Sequence, residues 1–172
     1  MTHVDYNRAR FPHDLEAVHA VIDDGAQAYR GVIPADCWHE PYMSMGELKA
    51  EIAAGVVFTV CHEAGTMVAV MGIQDRVDVT LIRHAYVRRD YQRGGIGTGL
   101  LKHVRGLSDK PFLIGTWAAA SWAIAFYCKH EFALVSSAQK GVLLGRYWDV
   151  SARQTATSVV LADRRWRGSR DE

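Results

Sequence analysis

Cysteine is scarce. Cys37, Cys61 and Cys128 are odd in number and widely spaced, with no C-x-x-C pair and no metal-ligand spacing. That excludes a cysteine-built metal site, so no metal is expected, and it argues against a disulfide framework and for reduced thiols in a cytoplasmic protein. Long apolar runs are missing as well. No stretch approaches the eighteen or so residues a membrane span needs, and the segment from Met1 to Tyr6 lacks the basic-then-apolar start of a secretion signal. A soluble chain with no membrane partner is the expectation. Charge of one sign is lacking too: 20 Lys+Arg against 19 Asp+Glu leave a formal net charge of +1, and no basic run interleaves with aromatics, which argues against a nucleic-acid partner. Arg164, Arg165, Arg167 and Arg170 alternate with Asp163, Trp166, Gly168, Asp171 and Glu172, so residues 164–172 read as a solvated tail.

What is present fits one enzyme-sized domain. A chain of 172 residues that is 49% apolar can bury a substantial core, and residues 1–172 are read as a single domain. Leu15, Val18, Ile22 and Ala26 recur at helical spacing and predict a helix over 13–29. Ser44-Met45-Gly46-Glu47 is a capping box that starts a second helix, ended by Gly55. Residues 56–61 and 67–73 flank a glycine turn and predict a hairpin, and a third strand follows within 77–87. Downstream, a helix over 98–107, a strand over 112–116, a helix over 121–130 and a strand over 132–135 are predicted. A short extra helix is expected within 140–150, and a strand over 158–161 should close the sheet. Helices, then an antiparallel meander, then β-α-β imply an α/β fold with a mixed central sheet and helices on both faces.

The most informative segment joins the third strand to the helix after it: Gln92-Arg93-Gly94-Gly95-Ile96-Gly97. Glycines at 94, 95 and 97 let the backbone turn with its N–H groups inward, and the following helix adds unpaired N–H groups and the positive end of its dipole. This is a cradle for pyrophosphate. It is not the loop of the nucleoside triphosphatases, because Ile96-Gly97-Thr98 supplies no lysine. Nor is it the dinucleotide fingerprint, since Leu100 stands where the third glycine belongs. With its flanks, Gln92-x-x-Gly95-x-Gly97 resembles motif A of the GNAT superfamily of acetyl-CoA-dependent N-acetyltransferases. A second segment, Ala123 to Phe132, resembles the family's motif B, a helix carrying a tyrosine and leading into a phenylalanine-initiated strand. The resemblance covers roughly residues 12–163. Two positions depart from it: Ala120 replaces a frequent asparagine, and Glu131 replaces a glycine where left-handed geometry is favoured.

The resemblance implies a set of roles. Acetyl-CoA is the co-substrate; its phosphates fall to Gln92, Arg93, Gly94, Gly95, Ile96, Gly97 and Thr98, and its pantetheine arm and oxyanion to the backbone of Ala85, Tyr86 and Val87. Ala123 and Phe126 line the cofactor from the second helix, and Tyr127 delivers a proton to the departing thiolate. A phenol that titrates near pH 10 can do this, because a thiolate is of comparable basicity. Without the motif Tyr127 would be an ordinary core aromatic.

The general base is less clear. Where several family members keep a glutamate, this chain has Thr80, Leu81 and Ile82. His84, in the same strand, is the best substitute because imidazole titrates near neutral pH, and a structural strand histidine is the equal alternative. Asp75, Asp78 and Asp149 are weaker candidates, and a water chain remains open. The acceptor is expected near Tyr29 to Pro34 and near the segment between the last strands, among Trp38, His39, Glu40, Tyr42, Tyr147 and Trp148, as a small-molecule or peptide amine. A homodimer is left open. The alternative to an acyltransferase is a non-catalytic module of the same fold that binds coenzyme A as a sensor.

Overall fold

The protein is described by a computed structural model that covers residues 3–168. Seven strands make one sheet in the order β1-β2-β3-β4-β5-β7-β6, with six α-helices between them, which is the α/β architecture the element order implied. The chain forms two compact units: residues up to Asp75 with Ile82–Asp109, and Arg76–Leu81 with the residues from Lys110 onward. Among the described residues no helix is long and apolar enough to cross a membrane.

In the first unit, β1 (Val4–Arg8), β2 (Val57–Glu63) and β3 (Thr66–Asp75) pair antiparallel, with Tyr6 opposite Cys61 and Val60 opposite Val70. The β2–β3 turn is Ala64-Gly65, both at positive φ as a two-residue hairpin requires. β1 is not foreseen from sequence. Only Val4 and Tyr6 of its five residues are apolar, and as an edge strand it buries little.

Helix α1 (Leu15–Ala26) buries Val18, Val21 and Ile22 against Phe58, Val60 and Val70. Its predicted last turn, Gln27–Tyr29, tightens into a 3-10 turn. Side chains alternate along a strand, so Thr59 and Cys61 point to the other face. There Tyr6, paired with Cys61, stacks on His103 of helix α3 (Ile96–Arg105) at 5.8 Å, and a Cβ at Gly99 would collide with the Tyr6 hydroxyl. Helices α1 and α3 therefore cover opposite faces of these strands. Helix α2 (Met45–Ala53) carries the predicted capping box, with the Ser44 side chain accepting from the Glu47 amide. At Gly25, α1 approaches β4 (Thr80–Val87) so closely that a Cβ would lie 2.8 Å from the Tyr86 Cβ.

In the second unit, β5 (Phe112–Trp117) pairs antiparallel with β7 (Ser158–Ala162), and β7 with β6 (Ala133–Leu134). The last strand, expected from sequence to close the sheet, lies inside it as β7, and β6 takes the edge. Val160, Leu161 and Ala162 of β7 are buried, whereas both residues of β6 are exposed, so the more apolar strand takes the inner place. Helix α4 (Ser121–Lys129) lies where predicted. Helix α5 (Ser137–Tyr147) is longer than the predicted short helix, and α6 (Ala152–Thr157), which buries no side chain, gives no apolar signal to read. The core of this unit joins Val79, Leu81, Leu113, Leu143, Leu144, Tyr147 and Val160. Beyond β7, Arg164 pairs with Glu131, Arg165 pairs with Asp163 and lies over the Phe112 ring, and Trp166 packs on that core. Arg170 lies outside the described residues.

Candidate functional site

The cradle is built within the first unit. At the end of β4 the Arg88 amide still donates to the Val68 carbonyl, and its Nε donates to the Met67 carbonyl, which anchors the strand end. Asp24 of α1 then accepts from the Arg89 amide at 2.8 Å and from its guanidinium, fixing the 3-10 turn Arg89–Tyr91. Gln92 bends back so that its Nε2 donates to the Val87 carbonyl. Arg93 and Gly95 both adopt left-handed φ, 71° and 80°, and Gln92, Arg93, Gly94 and Gly95 are exposed. Alternating handedness of this kind turns successive N–H groups toward one side.

Gly95 is the N-cap of α3 and brings no capping side chain, and the first turn holds no acidic residue. A cap is worth about 1 kcal/mol, whereas each of the buried Ile96, Leu100, Leu101 and Val104 contributes about 1.5–3 kcal/mol, so packing can hold the helix with its N-terminus open. A Cβ built at Gly95 meets no protein atom within 4 Å. Glycine is needed there for its φ, and the space beside it suits a phosphate group.

Upstream in β4, His84 has a left-handed φ of 55°, a conformation that costs about 1–2 kcal/mol outside glycine and needs compensating contacts. Those contacts are visible. The His84 ring lies near the Phe58 ring, and its Nε2 is 2.7 Å from Oε2 of Glu51 on α2. The same oxygen receives the Arg83 guanidinium at 3.1 Å, Arg83 donates to Gln74 Oε1, and Gln74 Nε2 donates to the Ala54 carbonyl at the end of α2. Sequence reasoning missed Glu51. The signal was its place on α2, three residues after buried Leu48 and beside Ile52, on the face that turns inward.

Two residues on, Tyr86 meets Tyr29 and Tyr42 at ring separations of 6.2 and 6.5 Å, and Trp38 lies 5.8 Å from Tyr42. Burial first, and then the hydroxyls of Tyr29 and Tyr42, push the Tyr86 phenol well above its ordinary range. Trp38 Nε1 donates to Glu40, which also pairs with Arg30, and the Tyr42 amide donates to Asp23. Of the aromatics expected around an acceptor, Tyr29, Trp38 and Tyr42 thus form one cluster on Tyr86 of β4, whereas Tyr147 and Trp148 pack with the core of the second unit. His39 is exposed.

The remaining candidates, Asp75 apart, lie in the second unit. Tyr127 is buried on α4, edge-on to Phe126 at 5.1 Å and to Phe132 at 5.4 Å, and its carbonyl accepts from the Phe132 amide. Ala123 lies one turn earlier on α4 than Tyr127. Glu131 does adopt the left-handed φ, 71°, that its position was expected to require. Ala120 is the buried N-cap of α4 and supplies no polar side chain. Of the weaker base candidates, Asp78 accepts the Tyr147 hydroxyl at 2.6 Å and pairs with Arg146, while Asp75 and Asp149 are exposed. Among the described residues no cluster of side chains suits a metal ion.

Residues 54–134 match the family profile of the acetyltransferase (GNAT) domain. No curated protein matches the chain by sequence. Solved structures resemble it over nearly its whole length. The PaiA N-acetyltransferase of Thermoplasma acidophilum, in complex with coenzyme A, is 16% identical, with 94% of this chain and 98% of that chain covered and a TM-score of 0.71. The ribosomal-protein-S18-alanine N-acetyltransferase of Escherichia coli is 16% identical, with 99% of both chains covered and a TM-score of 0.66. Naa50 of Arabidopsis thaliana, in complex with the bisubstrate analogue CoA-Ac-MVNAL, is 16% identical, with 93% of this chain and 97% of that chain covered and a TM-score of 0.62. At these identities the likeness is one of fold.

Proposed function

We propose that this chain is an acetyl-CoA-dependent acyltransferase of the GNAT superfamily, a reading its profile match and its likeness in fold support, and that it acetylates a primary amine, carried by a small molecule or a peptide, by direct attack on the thioester. The observation that carries the reading is the α3 N-terminus: a left-handed loop ending in Gly95, uncapped, free of acidic residues in its first turn and flanked by Arg93. An anion with several oxygens is what such a terminus favours. Gln92 through Thr98 would hold the pyrophosphate, and the backbone of Ala85, Tyr86 and Val87 would meet the pantetheine arm and the thioester oxygen; Ala123 and Phe126 are assigned to the cofactor through the α4 motif.

Acetyl transfer then needs two proton movements. As the amine nitrogen bonds to the carbonyl carbon, His84 accepts the proton that the nitrogen releases. As the carbon–sulfur bond breaks, its electron pair stays on sulfur, and the Tyr127 phenol gives that thiolate a proton. The PaiA structure is a complex with coenzyme A and the Naa50 structure a complex with the bisubstrate analogue CoA-Ac-MVNAL, which supports both the co-substrate and the kind of acceptor. The unpaired cysteines suit a cytoplasmic enzyme.

The test mixes the protein with acetyl-CoA and a pool of amines and peptides, measures free thiol and identifies the product by mass. Thiol release with an acetylated amine is expected. Tight binding of acetyl-CoA without thiol release from any amine would replace the reading with that of a non-catalytic sensor.

A further inference from the structure

Glu51 stands outside every role assigned so far, and its surroundings are unusual for a surface helix residue. Its carboxylate faces the His84 ring from α2, with side chains 23% and 17% exposed, and the contact is short at 2.7 Å. It is also held in place from the other side. Arg83 grips the same oxygen, Gln74 grips Arg83, and the Ala54 carbonyl at the end of α2 grips Gln74, so the chain of bonds returns to the helix that carries Glu51. A carboxylate fixed by a ring of this kind keeps one direction and stays ionised beside the guanidinium.

Resting on the reading of His84 as the base, we infer that Glu51 is its positioning residue: it fixes the imidazole as the Nε2–H tautomer and stabilises the imidazolium formed when Nδ1 takes the amine proton. The tautomer follows from chemistry, because an ionised carboxylate only accepts hydrogen bonds, so the nitrogen that meets it carries the hydrogen. Nδ1 then holds the lone pair, and among the described residues no hydrogen bond engages it. The left-handed φ at His84 fits the same role, since a strained residue persists where its contacts over-determine it. The groups that face the ring are Glu51 from α2, Phe58 from β2 and, through the shared oxygen, Arg83 from its own strand. One is anionic, one apolar and one cationic, so the two charges act on the imidazolium in opposite directions.

The full-length protein carrying ¹⁵N-histidine tests this by nuclear magnetic resonance without an acceptor, and acetyl transfer to the amine found in the screen adds a kinetic arm. In the wild type the His84 ring should show the Nε2–H tautomer. Glu51→Gln removes the charge and keeps the shape: the tautomer preference should weaken, proton affinity of the ring should fall, and kcat should fall at least tenfold with KM for acetyl-CoA unchanged. Arg83→Met should shift proton affinity the other way, and Glu51→Asp, which keeps the charge, should recover part of the loss. A structural strut would lower the melting temperature in all three variants and leave tautomer and proton affinity alone, and that result overturns the inference. His84→Gln separates it from the reading beneath: loss of the acidic limb of the rate profile keeps His84 as base whatever Glu51 does, whereas a retained limb removes both.

Discussion

Each compact unit sets a part-buried carboxylate against a ring, Glu51 on His84 at 2.7 Å and Asp78 on Tyr147 at 2.6 Å, yet the two pairs differ in burial and in backbone. Tyr147 ends an ordinary helix, is buried in the core of its unit, and is pushed up to about 12 by burial first and by the Asp78 hydrogen bond second. Its proton stays put at any physiological pH. His84 interrupts a strand with a left-handed backbone and keeps one ring nitrogen unengaged among the described residues. Short polar contacts alone therefore do not tell the two pairs apart; the backbone that carries them does. Helix ends repeat the contrast. Helices α2, α5 and α6 are closed by full capping boxes at Ser44, Ser136 and Ser151, whereas α3 opens on Gly95.

The sharpest way to break that contrast is to close the open helix. Gly95→Asp puts a carboxylate at the α3 N-cap, where aspartate tolerates the left-handed φ at a cost of about 1–2 kcal/mol. It also sets a like charge where pyrophosphate should lie, a juxtaposition worth several kcal/mol. Calorimetry should show coenzyme A affinity reduced about 100-fold or more, with circular dichroism unchanged; undiminished affinity in the folded variant removes this loop from the site. The second unit should respond in the opposite manner. Tyr127→Phe keeps the ring that packs on Phe126 and Phe132 and loses only the hydroxyl. Acetyl-CoA should bind within about twofold of wild type while turnover falls about 10²-fold, and an unaffected turnover would return Tyr127 to the core.

Sequence made the glycine loop before α3 and helix α4 legible because both are local: glycine placement and a helix start act over neighbouring residues. Glu131 was legible for the same reason, its left-handed φ following from its place at a helix end. Glu51 was not, since 33 residues separate it from His84 and only the packing of α2 brings them together. Strand β1 was lost because an edge strand needs few apolar residues, and α6 because a helix that buries nothing shows no periodicity. The inner place of β7 depends on burial shared between β5 and β6, which a single strand's pattern does not record.

Ser44→Ala sharpens the helix comparison at smaller amplitude. It removes the bond to the Glu47 amide, and loss of such a cap costs about 1 kcal/mol, so denaturant unfolding should shift by that amount while coenzyme A affinity stays constant. A change in affinity would mean that the closed helix end takes part in binding.

The smallest effect belongs to the Asp78–Tyr147 pair and depends on pH. Below about pH 10 the phenol keeps its proton in both the folded and the unfolded chain, and the hydrogen bond to Asp78 contributes about 1 kcal/mol, reduced by the partial exposure of Asp78 and its pairing with Arg146. Above that pH the unfolded chain releases the proton, while the folded protein holds it until about 12. The unfolded state then binds fewer protons, so stability from this group is present below pH 10 and lost as the pH climbs through 12. Tyr147→Phe should be about 1 kcal/mol less stable than wild type at pH 8, and the gap should close near pH 11 and reverse by pH 12. Tyr86, Tyr6 and Cys61 are pushed up as well, but they remain in both proteins and cancel in the difference. A gap that stays constant across this window would show the Tyr147 hydroxyl to be held by something other than its bond to Asp78.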